Sequence, residues 1–436
     1  MEKKLKRQLS SRHITMLALG GAIGAGLFKG SGEAIGIAGP AVLIAFAIGG
    51  IVLYIVMNGL GKLVLDGENQ TGLSGIIQPY LGAHAADFID WAYLSLWLIN
   101  IIAEAVAAAA FMQLWFPQTP PWVFVLIMAV LTTLINLYSV KLFAETEYWL
   151  AFVKISVIVL LIVFAVFLIG KQMIHIGALP TLQQMTAHNG FAPHGMKGMI
   201  NSLLVVIYSY GGSELVAVAV SEAGDPKVAI PKAIKGVMGR IVSFYIVPLF
   251  LLLIIFPWDT LANSSVGPFI MVFEKMNIPF AADIVNLVIV LALFSSINSG
   301  VYAGSRTLYF RLKERQGIGR KLATLNKHQT PQRAVLFCAS TLYIGVILSY
   351  FVGDRLFGYL AGSLSYTVLT IWMMIVVSAF VLAIRKGKRY EQGLNLLALL
   401  ALAGILVGIL FTNEWAVTVL TILLYLFMFF SFKKQK

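Results

Sequence analysis

Residues 20–26 read Gly-Gly-Ala-Ile-Gly-Ala-Gly and residues 209–214 read Ser-Tyr-Gly-Gly-Ser-Glu, and each run interrupts an apolar stretch long enough to cross a bilayer. Each glycine costs a helix about 1 kcal/mol relative to alanine. In hydrocarbon, unwound backbone is tolerated only where it lines a cavity or is buried in protein. Working outward from these two runs, twelve segments of membrane-spanning length can be counted, at 14–36, 40–63, 87–115, 121–140, 147–170, 196–222, 236–257, 279–304, 334–352, 356–384, 394–412 and 414–432. A spanning helix needs about 20 predominantly apolar residues. The interruptions fall in the first and sixth segments, the first of each five-span half. Half-helix ends recurring at such positions are the mark of inverted repeats that build a site near the midplane. Packing of small residues explains either run alone, but the recurrence favours a binding site.

Composition agrees with a helical membrane protein. Of 436 residues 59% are hydrophobic and 12% charged, against roughly 25% charged in soluble chains. A soluble enzyme and a disordered chain are excluded, and helix-length apolar runs exclude an outer-membrane barrel, whose strands alternate residue by residue. The formal charge of +13 is a topology signal. With the N-terminus cytoplasmic, 26 Lys and Arg fall inside and 5 outside (Lys29, Lys171, Lys197, Lys275, Arg355), while Lys154 lies within a span. This positive-inside bias places both termini in the cytoplasm and removes the case for a nucleic-acid partner. Cys338 is the sole cysteine, so neither an intramolecular disulfide nor a cysteine metal cluster is available. The basic stretch Met1 to Arg12 runs into a longer helical pattern without an Ala-x-Ala-like site, and no removable signal peptide is expected.

The breaks suggest a ligand class. The half-helix after Gly24-Ala25-Gly26 offers N–H donors suited to a carboxylate, and carbonyls freed near Ala22, Ile23, Tyr208 and Ser209 can accept from an ammonium. A zwitterion satisfies both. Lys154 is an isolated charge within the fifth span, a functional candidate unless its stem snorkels to the interface. Glu104, mid-way along the third span, is too deep to reach either headgroup layer and is expected to line a cavity, with Trp97 and Ile101 of the same span beside it. Tyr210, Gly211, Gly212 and Glu214 belong to the second break, where Glu214 is either a cap or a ligand contact. Ser295, Ser296, Asn298 and Ser299 form a polar cluster that either back-bonds to its own helix or serves an ion or the Lys154 ammonium. His175, His188 and His194 share one loop without metal-ligand spacing, so no metal and no cofactor is expected.

These residues sit in stretches that resemble the amino acid transporter family of the amino acid-polyamine-organocation superfamily, bacterial permeases for aromatic amino acids, γ-aminobutyrate, lysine, proline and alanine/serine/glycine. The matching stretches are GGAIGAGLFKGSGEAIGIAGPA (20–41), LWFP (114–117), NLYSVKLFAETEYWLAFVK (136–154), YSYGGSELVAVAVSEAGDPKVAIPKAI (208–234), PWD (257–259) and SSINSGVYAGSRTLY (295–309). The resemblance implies an all-α membrane protein of twelve transmembrane helices with the LeuT-type fold. A tail (1–12) precedes a first five-helix repeat (13–170), an external loop (171–195), an inverted second repeat (196–384), two additional helices (385–432) and a short tail (433–436). It implies substrate contacts from Ala22 to Gly26 and at the sixth-span break, Tyr208 covering the bound amino acid. Lys154 takes the place held by an ion in sodium-coupled members, between the first span and Ser295 and Ser296, and Glu104 faces the substrate cavity.

Three departures stand out: Ala25 where the family has Thr or Ser, Lys62 in place of a glutamate in Leu-Gly-Lys-Leu (60–63), and the charged run Arg311, Lys313, Glu314, Arg315. The function expected is import of an amino acid across the bacterial cytoplasmic membrane by proton symport and alternating access, by a monomer whose partners are its substrate and the bilayer. An exchanger of the same fold, a membrane-embedded enzyme and a non-transporting amino acid sensor are the rival readings.

Overall fold

The computed structural model describes residues 23–67, 72–138, 140–176, 189–215, 241–264, 266–313, 318–326, 330–412 and short pieces of 185–239 and 415–426. Among the described residues the chain is helical, with no strand. The helices are α1 (Ala25–Phe28), α2 (Gly30–Ala38), α3 (Val42–Asp66), α4 (Gly72–Met112), α5 (Pro121–Tyr138), α6 (Val140–Ile176), α7 (Gly195–Tyr210), α8 (Val247–Ile255), α9 (Trp258–Ala262), α10 (Pro268–Lys275), α11 (Ala281–Leu312), α12 (Ile318–Leu322), α13 (Gln332–Val352), α14 (Leu356–Arg385) and α15 (Arg389–Thr412).

Among the described residues six stretches are long and apolar enough to cross a membrane: Gly30–Asp66, Gly72–Met112, Glu147–Ile174, Ala281–Leu312, Gln332–Arg385 and Arg389–Phe411. The first contains two helices, because Gly39 adopts φ +63°, open to glycine at no steric cost, and a short 3₁₀ turn through Pro40 starts α3. The fifth divides likewise at Gly353. Two boundaries differ from the apolar counting. The third expected span is part of a longer helix that begins at Gly72 and kinks at Gly82 (φ +84°). The expected loop 171–195 is shorter, since α6 continues to Ile176. Gly20, Gly21, most of the twelfth expected span and residues 216–222 of the sixth lie outside the described residues.

At the centre α4 packs along α11, with α14 on α4, α6 on α11, and α2 and α3 against α7. Small side chains make this approach possible. Ala103, Ala105, Ala107, Ala108 and Ala109 of α4 are buried, and a Cβ on Gly300 of α11 would run into Ile101 of α4. Close backbone contact of this kind supplies the van der Waals attraction that holds helices together where lipid is as apolar as the core. The outward sides carry exposed Leu134, Phe152, Val163, Phe167, Phe351, Leu400 and Phe411, as a surface solvated by acyl chains requires.

The tight α4–α11 seam gives a direct test. Gly300→Leu is expected to destabilise the fold by about 1–3 kcal/mol through overpacking, read as a lower melting temperature in detergent. An unchanged melting temperature would contradict this packing.

Candidate functional site

The two glycine runs meet. Gly24 is extended (φ −149°, ψ −154°) and α1 starts after it, while α7 stops at Tyr210 and Gly212 takes φ +90°. Ser209 Oγ lies 2.8 Å from both the Gly26 and the Val205 carbonyl oxygens, so its proton is shared between the first break and its own helix. The approach admits no side chain: a Cβ at Gly26 would lie 2.5 Å from Ser209 Cα.

Backbone groups freed by the breaks are met by side chains from other helices. The Ala25 N–H donates to Glu104 Oε2 of α4 at 3.0 Å. The Ile23 carbonyl accepts from Ser296 Oγ of α11 at 3.2 Å. Tyr245, in a π-helical turn (Val242–Ile246) leading into α8, donates its hydroxyl to the Ser209 carbonyl at 2.8 Å. Ser213 Oγ donates to the Tyr210 carbonyl at 2.9 Å, and the Gly211 N–H reaches the Ile207 and Tyr208 carbonyls. Sequence reasoning assigned the Ile23, Tyr208 and Ser209 carbonyls to an ammonium ligand; here each already accepts a hydrogen bond from within the protein. Buried backbone left unpaired would cost about 1–3 kcal/mol per group, which explains the recruitment.

Between the breaks lies a cavity of about 20 Å³, room for about one water. Gly24, Gly26, Tyr208, Ser209, Gly211 and Gly212 line it, together with Trp97 and Glu104 of α4. The remaining lining residues, Leu96, Asn100, Leu364 and Val368, escaped the sequence reading because apolar side chains and one asparagine carry no mark of their own. Tyr208 is 5% exposed, its ring rests edge-on against Phe357 (6.0 Å between centroids), and its hydroxyl has no hydrogen-bond partner among the described residues. Lys29 Nζ sits 4.7 Å from the centroid of the Phe357 ring.

Other expected residues are placed differently. Ile101 packs against Gly300 rather than lining the cavity. Tyr210 turns away, donating to the Phe46 carbonyl at 2.9 Å and packing on Tyr245. Glu214 is fully buried, accepting from the Gly212 N–H at 3.2 Å and lying 3.5 Å from Trp372 Nε1, so it braces the second break. Ala25 contributes its N–H, and Ala22 lies outside the described residues.

Lys154 is fully buried, and its Nζ donates to Ser296 Oγ at 3.3 Å. Because Ser296 in turn donates to Ile23, one hydroxyl links the ammonium to the backbone at the first break. The ammonium interacts electrostatically with two buried carboxylates, Glu147 and Glu104. Glu147 was missed because it opens the apolar stretch and reads as a flank. It is 2% exposed and accepts from Ser295 Oγ at 2.7 Å. Two of the departures also find partners. Lys62 pairs with Glu391 at 3.1 Å, and Arg311 with Asp87 at 2.5 Å.

The Amino acid permease family model matches residues 13–436. The chain is 43% identical to the aromatic amino acid permease FywP of Lactococcus lactis over 99% of its own length and 97% of the relative's. It is 34% identical to the gamma-aminobutyric acid permease of Bacillus subtilis, over 94% of this chain and 89% of the relative. Among solved structures, the manganese transporter of Eremococcus coleocola aligns with TM-score 0.59 at 16% identity, covering 96% of this chain and 92% of that one. The likeness to that structure is one of fold.

Gly26→Ala tests the meeting of the breaks. Its Cβ cannot fit against Ser209 backbone, so α1 and α7 must part, with an expected loss of about 1–3 kcal/mol seen as earlier melting in detergent. Wild-type melting would show that the breaks do not touch at Gly26.

Proposed function

We propose that this chain, which belongs to the amino acid permease family, imports an amino acid by proton symport through alternating access. It is a multi-pass membrane protein and not an enzyme. The observation that carries the symport reading is the line Lys154 Nζ, Ser296 Oγ, Ile23 carbonyl. A buried ammonium one hydroxyl away from a break that lines the cavity ties proton occupancy to the geometry of the site. Any such tie is reciprocal: substrate that favours one arrangement of the first break changes the affinity of Lys154 for its proton by the same factor.

In this reading the chain has twelve spans in two inverted sets of five plus two more, with both termini cytoplasmic. The 26-to-5 division of Lys and Arg supports the orientation. The first set of contacts for the substrate comes from Gly24, Gly26, Ser209, Gly211 and Gly212, with Trp97 and the unpartnered Tyr208 hydroxyl around the side chain. A cavity of about 20 Å³ is well short of the roughly 300 Å³ or more of ligand pockets. Loading therefore requires the elements around the breaks to separate, which is the opening half of an alternating cycle.

The substrate is a neutral amino acid, with an aromatic side chain the first choice. Glu104 is committed to Ala25 and Lys154, which leaves no free anion for a cationic side chain and a lining of Leu96, Trp97, Tyr208, Leu364 and Val368 for an apolar one. The relative named for aromatic amino acids is 43% identical and the one named for γ-aminobutyrate 34%.

Two measurements test these statements. In proteoliposomes, an inward proton gradient should drive accumulation by wild type and not by Lys154→Ala, which should keep some exchange. Uptake that requires internal amino acid would mean an exchanger, and full accumulation by the variant would remove Lys154 from coupling. In a thermal-shift screen of the twenty amino acids at one fixed concentration, Phe, Tyr and Trp should stabilise most, reaching about 2.7 kcal/mol where that concentration is a hundred times their Kd; a larger shift with Lys or Arg would overturn the neutral-substrate assignment.

A further inference from the structure

Glu147 has no part in the mechanism so far, yet it is a buried carboxylate on the same helix as the buried lysine. It precedes Lys154 by seven residues. At 3.6 residues per turn that is close to two full turns, so the two side chains emerge on one face of α6, roughly 10 Å apart along its axis. Successive serines of α11 meet them there: Ser295 Oγ donates to Glu147 at 2.7 Å and Ser296 Oγ accepts from Lys154 at 3.3 Å. Glu104, the other carboxylate that acts on the lysine, borders the cavity and accepts from the Ala25 N–H. Glu104 thus stands at the cavity, and Glu147 towards the start of α6, the cytoplasmic end in the topology above.

Nothing else described along this line competes for the role. Among the described residues, Glu147 and Glu104 are charged groups that act on Lys154. From α11 come only hydroxyls, Ser295, Ser296 and Ser299, with Asn298 engaged by Asn136 of α5 at 2.9 Å. The helix α8 is apolar throughout (Val247–Ile255). The helix α10 meets α6 through Phe273 and Phe164, and Phe164 lies ten residues, roughly 15 Å, beyond Lys154, so the Glu274 and Lys275 that follow are remote.

We propose that Glu147 is the proton acceptor for Lys154 on the cytoplasmic side, the group through which the symported proton leaves the buried network. This rests on the symport reading. In the step, the lysine side chain swings along α6 until its Nζ reaches hydrogen-bond distance of the Glu147 carboxylate, directly or through one water; a lysine N–H bond then breaks and an O–H bond forms on Glu147, converting ammonium and carboxylate into amine and carboxylic acid. Net charge is unchanged, so the transfer avoids creating an isolated ion in a medium where one is costly. Water at the cytoplasmic side then takes the proton from Glu147 and restores the carboxylate. Ser295 holds the carboxylate through Oε1, with the Ser299 hydroxyl also acting on it.

The test uses the full-length protein in proteoliposomes with a proton gradient, radiolabelled substrate and an internal pH dye. Glu147→Gln is expected to bind substrate and exchange it within about twofold of wild type while gradient-driven accumulation and substrate-induced proton influx fall at least tenfold. Glu147→Asp, which keeps an acid at shorter reach, is expected to recover both, with a displaced pH profile of uptake. Wild-type accumulation by Glu147→Gln overturns the proposal, and so does a parallel loss of exchange and accumulation that Glu147→Asp leaves unrepaired, which marks a structural role. Should Glu147→Gln not fold, Glu147→Asp decides alone: a pH profile identical to wild type overturns it. Absence of gradient-driven accumulation in wild type is a separate result and removes the symport reading itself.

Discussion

A broken helix inside a bilayer must have its freed N–H and C=O groups answered by protein, because the surrounding hydrocarbon offers no partner. That constraint organises this molecule. The first break draws Glu104 from α4 to the Ala25 N–H, Ser296 from α11 to the Ile23 carbonyl and Ser209 from α7 to the Gly26 carbonyl. The second break draws Tyr245, from the turn before α8, to the Ser209 carbonyl. Each of these partners is a side chain on a separate element, so the breaks act as the point at which much of the helix bundle is tied together. Polar residues in the spans are explained by this before any transport role is invoked.

The same economy of polar groups explains why Lys154 is informative. A buried ammonium needs its three N–H donors satisfied and its charge balanced, and its partners here include the Ser296 hydroxyl and two carboxylates. If the lysine were only a structural cation, one carboxylate would balance it. Here there are two, one by the cavity and one nearer the start of α6, as the proposed proton path requires. The positive charges elsewhere need no such account. Lys62 and Lys388 both pair with Glu391, and Lys386 with Asp66, tying the end of α3 to the turn between α14 and α15 at half-exposed positions. Pairs of that kind contribute little, about 0–1 kcal/mol each.

How much of this was legible in the sequence follows from where each signal lives. Apolar length reveals a span, and glycines adjacent in sequence reveal a break, so Gly24, Gly26, Gly211 and Gly212 could be read directly. Lys154 and Glu104 stood out because charge is scarce in the spans. Glu147 is no less buried, but it sits where an apolar run starts, and a flanking charge has an ordinary explanation. Tyr245 looked like any aromatic in a membrane helix; only the fold brings its hydroxyl to a carbonyl 36 residues earlier. Leu364 and Val368 line the cavity from α14, and Ile101, adjacent to the site in sequence, faces α11 instead. Rotation of a helix about its axis by one residue's 100° decides such cases, and apolar stretches without a polar stripe leave that rotation open.

Self-satisfaction of the breaks has a consequence for recognition. A zwitterion that bound at Gly24 and Gly26 would meet an N–H already held by Glu104 and carbonyls already held by Ser296, Ser209 and Tyr245. Its net gain is the difference between its own contacts and those it displaces, and exchanging one hydrogen bond for another is worth only about 0.5–1.5 kcal/mol. Backbone contacts common to all amino acids therefore discriminate little and bind modestly. On the proposed reading the side-chain lining is where selective affinity arises, since an apolar substrate side chain gains about 25 cal/mol per Å² of its own surface buried. In the proposed cycle such a division would leave the shared contacts nearly balanced, the breaks free to rearrange, and selection to the side-chain pocket.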